Sequence, residues 1–240
     1  MVSASAFGGF SAVAPGSWIE IYGSSLSLSN RSWATADFSG STGPTSLDGT
    51  TVTIGGQNAF IDYVSGSQVN AQVPSNVSAG SQSLVVKTPA GSSAAYSVTV
   101  NTTEPGLLAP PSFKIGATQY AGALFTDGTT YVLPAGAISG LPSRAAKVGD
   151  TVTVYGVGFG PVSPTIPAGQ IAQQNSSLTT PLQFFLGGTQ AAVGYYGLSP
   201  NSVGLYQFNL TVPNVPSGNV PLTFTLGGTN STQTLYIPVQ

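Results

Sequence analysis

The chain has 240 residues, of which 41 % are hydrophobic and only 5 % charged, with a net charge of −2, 31 glycines and 18 prolines. An average globular protein has roughly 25 % charged residues, yet this chain is too apolar for the disordered class, and its composition points to a turn-rich, all-β protein. Five Lys and Arg residues without a cluster cannot neutralise a phosphate backbone, which excludes nucleic acid and a polybasic membrane anchor.

Pro, Gly or polar residues interrupt every apolar run before it reaches 18 residues, so no membrane insertion is expected. Cysteine is absent, so disulfides cannot staple the fold. The leading "MVSASAFGGFSAVAPGS" has neither a basic start nor a continuous apolar core, and so is not an intact signal peptide. The expectation is an extracellular or cell-surface protein whose signal has been removed.

In chain order, four strand-like blocks appear and then repeat. "PGSWIEIYGSSLS" (15–27) is matched by "VGDTVTVYGVGFG" (148–160), and "TVTIGGQNAFIDYV" (51–64) by "QFFLGGTQAAVGYY" (183–196). "QVNAQVPSNVSAGSQSLVV" (68–86) is matched by "QFNLTVPNVPSGNVPLTF" (207–224), and "AYSVTV" (95–100) by "LYIPVQ" (235–240). Period-two alternation sends Ile19, Ile21, Val52, Ile54, Val69, Ala71, Val98 and Val100 inward, against Val152, Val154, Phe184, Leu186, Phe208, Leu210, Ile237 and Val239 in the second copy. "GG", "VP", "SAG" and "PSG" supply the turns, and no segment holds a helical period.

These signals predict two tandem immunoglobulin-like β-sandwiches, residues 1–103 and 104–240, separated near the Pro- and Gly-rich "NTTEPGLLAPP". The second copy is longer because residues 112–147 precede its first matched strand. Within them, "YAGALFTDGTTYVLP" reads as a hairpin around Asp127-Gly128.

"PGSWIEIYGSSL", "VTIGGQNAFIDYVSGSQVNAQVP", "ALFTDGTTYVLP", "KVGDTVTVYGVGFGPVSP" and "GLSPNSVGLYQFNLTVP" together resemble the Solibacter-type C-terminal domain of secreted acidobacterial proteins, a relative of the IPT/TIG immunoglobulin-like repeats. The resemblance covers nearly the whole chain. It implies an extracellular immunoglobulin-like fold with no catalytic residues.

Chemistry is sparse. Without His or Cys there are no Ser-His or Cys-His nucleophile pairs and no imidazole metal sites, so no enzyme, cofactor or metal is expected. Among the seven acids, Asp48, Asp127 and Asp150 fall in turns where Asp caps nearby backbone. Glu20 with Asp62 is the one cross-strand carboxylate pair a glycosidase could use. "YGVGFGPVSP" (155–164) resembles a phosphate loop, but Pro161 follows where a helix should open and the Lys is missing. It reads instead as a strand leaving its sheet, with glycines permitting a bulge or positive φ. Sequons begin at Asn30, Asn76, Asn101, Asn175, Asn209 and Asn230, and a structural role is expected of Asn209 and its repeat mate Asn70.

Alternation turns Trp18, Phe185 and Tyr196 away from their own cores. With Trp33 they form the candidate partner surface, unless the N-terminal "SASAFGGF" or residues 112–147 cover Trp18 and Phe185. Two functions are weighed. The first is a non-catalytic structural or adhesive module that self-associates, or binds another extracellular protein, to the point of building a filament. Residues 2–14 would then be donated to a sheet edge of a neighbour. The alternative is a carbohydrate-binding module that stacks sugars on Trp18, Trp33, Tyr195 or Tyr196.

Overall fold

A computed structural model describes residues 2–3, 10 and 12–240. Among the described residues the regular structure is all β apart from two single 3-10 turns, Thr35–Asp37 and Pro111–Phe113, and no helix is long and apolar enough to cross a membrane. The chain forms two tandem immunoglobulin-like sandwiches.

In the first, a five-stranded sheet runs in the order Val2–Ser3, Trp18–Tyr22, Gln68–Gln72, Phe60–Val64, Arg31–Ser32. It packs on a second sheet whose centre is Tyr96–Val100, Gly80–Thr88 and Thr50–Ile54. Every residue assigned inward by alternation is buried, from Ile19, Val52 and Ile54 to Phe184, Phe208 and Ile237. The second core is more aromatic: Phe159, Phe184, Phe208 and Phe224 meet with ring centroids 4.6 to 5.6 Å apart. Burying each such ring removes a large apolar area from water, so the second sandwich has the heavier core.

The repeat is preserved in detail. Gly55-Gly56 and Gly187-Gly188 both turn at positive φ (57° and 78°; 56° and 81°), the conformation a two-residue hairpin turn demands. Each following strand bulges at the same repeat position, between Ile61 and Tyr63 and between Val193 and Tyr195. In the second copy that strand, Thr189–Leu198, runs unbroken from one sheet into the other and joins both.

Both copies cover the same sheet edge. Val2–Ser3 pairs antiparallel with Trp18–Tyr22 in the first copy. In the second, Ala123–Phe125 pairs with Thr151–Val157, so residues 112–147 serve as an edge guard with a small core of their own around Phe113, Tyr120 and Leu133. The predicted hairpin is present: Leu124 pairs with Tyr131, Gly128 turns at φ 70°, and Asp127 Oδ1 accepts from the N–H groups of Thr129 and Thr130 at 2.8 Å. Those two bonds hold the Asp127 carboxyl down at about 2.

The donor-strand expectation for residues 2–14 finds no support where the segment is described. Val2–Ser3 and Ala12–Val13 pair within their own sandwich, the latter parallel to Tyr96–Val100. Residues 4–9 and 11 lie outside the described residues.

"YGVGFG" behaves as a departing strand. Gly158 (φ 77°) and Gly160 (φ 94°) follow Thr151–Val157, and a Cβ on Gly158 would stand 2.1 Å from the Glu104 carbonyl oxygen. The glycines thus admit the inter-sandwich segment, whose Gly106–Leu107 pairs with this strand, and let Phe159 drop into the aromatic core. Tyr206 closes the loop with its hydroxyl donating to the Gly160 carbonyl, and burial pushes that hydroxyl's pKa up.

Candidate functional site

The outward face of the first sandwich's five-stranded sheet carries three rows of side chains. Trp18 lies opposite Gln72, which lies opposite Phe60; Glu20 lies opposite Asn70, which lies beside the bulge holding Asp62; Tyr22 lies opposite Gln68. At the repeat-equivalent positions the second sandwich has Thr151, Thr211 and Ala192, then Thr153, Asn209 and Gly194. Asn209 bonds Thr153 and Gln207 there, a structural role, and Asn70 accepts from Gln68 in the first copy. The aromatic and acidic residues are therefore additions to a face the fold can build from Thr, Asn and Gly.

Loops of the second sandwich dock on this face. Gly43 N–H donates to the Gly169 carbonyl at 2.7 Å and Ile171 N–H to the Ser41 carbonyl at 2.9 Å, so residues 41–43 and 169–171 form a short antiparallel ladder. Gln72, 1 % exposed, is the pin: its Oε1 accepts Gly169 N–H at 2.6 Å and its Nε2 donates to the Gly16 carbonyl at 2.8 Å. Two glycines make the approach possible. A Cβ on Gly169 would stand 2.2 Å from the Phe60 ring, and one on Gly204 1.9 Å from Gln72 Nε2. Among the described residues, Trp18 is covered by 201–205 and not by 112–147: its indole N–H donates to the Val203 carbonyl at 2.8 Å, while most of "SASAFGGF" lies outside the described residues.

Trp18 props Trp33 edge-on (centroids 5.5 Å apart, planes at 80°), and Trp33 leans on Phe38 at 4.8 Å. Both Trp33 and Phe38 remain half-exposed. Their loop is anchored by Arg31, whose guanidinium donates to Asp37 and to Asp48, each at 2.8 Å. Asp48 is thus held by Arg31 and not by the backbone cap expected of its turn. Arg31, and then the Ala34 N–H at 2.6 Å, holds the Asp37 carboxyl down at about 2.

The rings separate two grooves. One, of about 410 Å³, lies between the sandwiches and is floored by Asp62 and Asn70, with Asn201 and Ser202 on the far wall. The other, of about 350 Å³, follows Ala34, Thr35 and Gly40; both share Trp33, Phe38 and Ile171. Asp62 Oδ1 is buried without a hydrogen-bond partner. Desolvation pushes the carboxyl up to about 6, against the favourable influence of Asn70, and the Glu20 charge adds to the rise. Glu20 itself is outside the cleft and accepts the Tyr22 hydroxyl at 2.7 Å, so the two carboxylates do not form a facing pair.

Phe185 and Tyr196 do not join the tryptophans. Phe185 is half-buried opposite Thr223, beside Asn230, and Tyr196 is 40 % exposed on the strand opposite Phe208. The Tyr195 hydroxyl is tied back to the Leu198 carbonyl at 2.6 Å. A second seam cavity of about 410 Å³, walled by Pro15, Val77, Ile166, Leu198 and Tyr206, is apolar. Among the described residues, no three His, Cys, Asp or Glu side chains converge in a metal-binding group.

A family model, the IPT/TIG domain, matches residues 10–115. Among solved structures, the SGBP-B of the Bacteroides ovatus mixed-linkage glucan utilization locus, in complex with a mixed-linkage heptasaccharide, is 16 % identical with a TM-score of 0.41. That match covers 96 % of this chain and 44 % of that one. The surface glycan-binding protein PbSGBP-B from Prevotella bryantii is 12 % identical (TM-score 0.28; 96 % and 39 % covered). SGBP-B from a complex xyloglucan utilization locus in Bacteroides uniformis is 14 % identical (TM-score 0.30; 94 % and 46 % covered). The chain thus spans less than half the length of each. No curated protein matches the sequence.

Proposed function

We propose that the chain, as two units of residues 1–103 and 104–240, is a non-catalytic carbohydrate-binding module of an extracellular or cell-surface protein. This setting accords with the sequence's resemblance to Solibacter-type modules. One observation carries the reading: a partly exposed Trp33, braced by Trp18 and Phe38, lines the same groove as the Asp62 carboxylate and the Asn70 amide. A sugar ring presents an apolar C–H face that packs on an indole and a rim of hydroxyl donors. Asp62 and Asn70 supply convergent polar groups of the kind that orient a ligand in an otherwise apolar site. Asp62 lines the groove, so a ligand hydroxyl can donate to its carboxylate there.

The test is a polysaccharide pull-down and glycan array with the wild-type chain and Trp33→Ala. Retention of at least one glycan, lost in Trp33→Ala while the melting temperature holds, is the expected result. No glycan retained by the wild type, or one retained equally by the variant, rejects the reading.

A further inference from the structure

Resting on that reading, we infer that the ligand is an uncharged glycan chain that crosses the Trp33–Phe38 ridge from the Asp62 cleft into the groove along Ala34 and Gly40, and that anionic glycans are excluded. The charge of the site decides the class. None of the five Lys and Arg side chains lines either groove. Arg31, on the neighbouring strand, commits its guanidinium to Asp37 and Asp48, and Arg144, in the second sandwich, pairs locally with Asp150. The charged group in the cleft is Asp62, with Glu20 on the same sheet face. A uronate carboxylate or a sulfate would meet Asp62 in a desolvated site with no counter-charge, where like charges repel strongly.

Ligand length follows from the shape. The two grooves flank the same pair of rings and share Ile171, and each has the size of a small-molecule site, roughly 300–1,000 Å³. A single sugar fills one groove and leaves the other side of the ridge bare. A chain engages both, and the Asp62 and Asn70 side chains at one end fix its register.

Native affinity electrophoresis of the full chain separates the possibilities. Gels would contain uncharged polymers (mixed-linkage β-glucan, xyloglucan, galactomannan, soluble starch) or anionic ones (polygalacturonate, alginate, dextran sulfate), run at neutral pH with wild type, Trp33→Ala and Phe38→Ala. The expected result is retardation in at least one uncharged gel, lost in both variants, and none in the anionic gels. Retardation in an anionic gel that depends on Trp33 overturns this inference while leaving carbohydrate binding intact. No Trp33-dependent retardation in any gel overturns both. For the retained polymer, titration with its oligosaccharides should show affinity rising at least tenfold from disaccharide to hexasaccharide. Equal affinities would remove the ridge-crossing chain.

Discussion

Asp62 stands at the bulge that Gly194 occupies in the second sandwich, and both strands shift register there against their central neighbour. The fold therefore accepts glycine at this position, and the buried acid is a cost that folding alone does not require. Because burial lifts its carboxyl from 3.8 to about 6, the folded state favours the protonated form. The penalty is absent below pH 4, grows as the pH rises towards 6, and is complete above it. Asp62→Asn should therefore be more stable than wild type at pH 7.5 by on the order of 1–3 kcal/mol, with the difference vanishing near pH 4. Urea titrations of both proteins across that range measure it. A constant difference at all pH values would show that the carboxylate is not desolvated. The same variant should bind glycan more weakly, the usual conflict between stability and a functional group held in a poor environment.

The seam between the sandwiches depends on two positions without side chains. Gly204→Val places a branched side chain where Gln72 Nε2 already lies and at a φ of 64° that β-branched residues avoid. The docked loop must lift, freeing the Trp18 indole from Val203 and wetting the cleft. The chain has two tryptophans, and both lie at this seam, so the fluorescence maximum should move to the red and scattering should report an extended particle. An unchanged emission spectrum in a folded Gly204→Val protein would contradict the docking of residues 201–205 on Trp18.

Arg31 works through the loop it anchors. Its ion pairs are exposed and screened by solvent, so they contribute little to stability, and Arg31→Gln should melt within a few degrees of wild type. Its effect should fall on ligand affinity, a loss of about fivefold, or about 1 kcal/mol, because Trp33 and Phe38 lose their fixed geometry. Arg31→Lys should restore little, since an ammonium cannot span two carboxylates as a guanidinium does. Asp37 titrates at about 2, below the ordinary carboxylate range. The anchor's contribution is therefore present above the unfolded value of 3.8 and lost only as the pH falls through about 2. Isothermal titration at pH 4 and pH 7.5 should find the Arg31→Gln defect at both.

The inward faces were legible because a period-two pattern fixes which side chains a sheet buries, and the repeat confirmed each assignment twice. The outward position of Trp18 was legible for the same reason. What covers it was not, because Ala168-Gly169-Gln170 and Asn201-Ser202-Val203 are loop residues with no periodicity to reveal their contacts. Gln72 and Phe38 escaped notice on similar grounds. Gln72 carries a signal in retrospect, being a long amide where the other copy has Thr211, and Phe38 follows Trp33 closely in "WATADF". Asp62 was visible as an acid, but its desolvation arises only from the folded surroundings, which the sequence pattern does not show.

Gly140 and Gly158 separate conformational need from steric need. Gly140 (φ 76°) faces open space, with nothing within 4 Å of where a Cβ would stand, so Gly140→Ala should cost only the left-handed backbone penalty of about 1–2 kcal/mol. Gly158 has nearly the same φ, 77°, yet its Cβ would stand 2.1 Å from the Glu104 carbonyl oxygen. Glu104 in turn donates its N–H to the Gly158 carbonyl at 2.9 Å, so the segment entering the second sandwich must move away and break that bond. Gly158→Ala should therefore lose a further 1–3 kcal/mol or so for overpacking, beyond the backbone term it shares with Gly140→Ala. For a chain of this size each kcal/mol lowers the melting temperature by about 2–4 °C, so the two variants should melt several degrees apart. Identical melting would mean that these glycines serve only their φ, and that the close approach of the two segments plays no part.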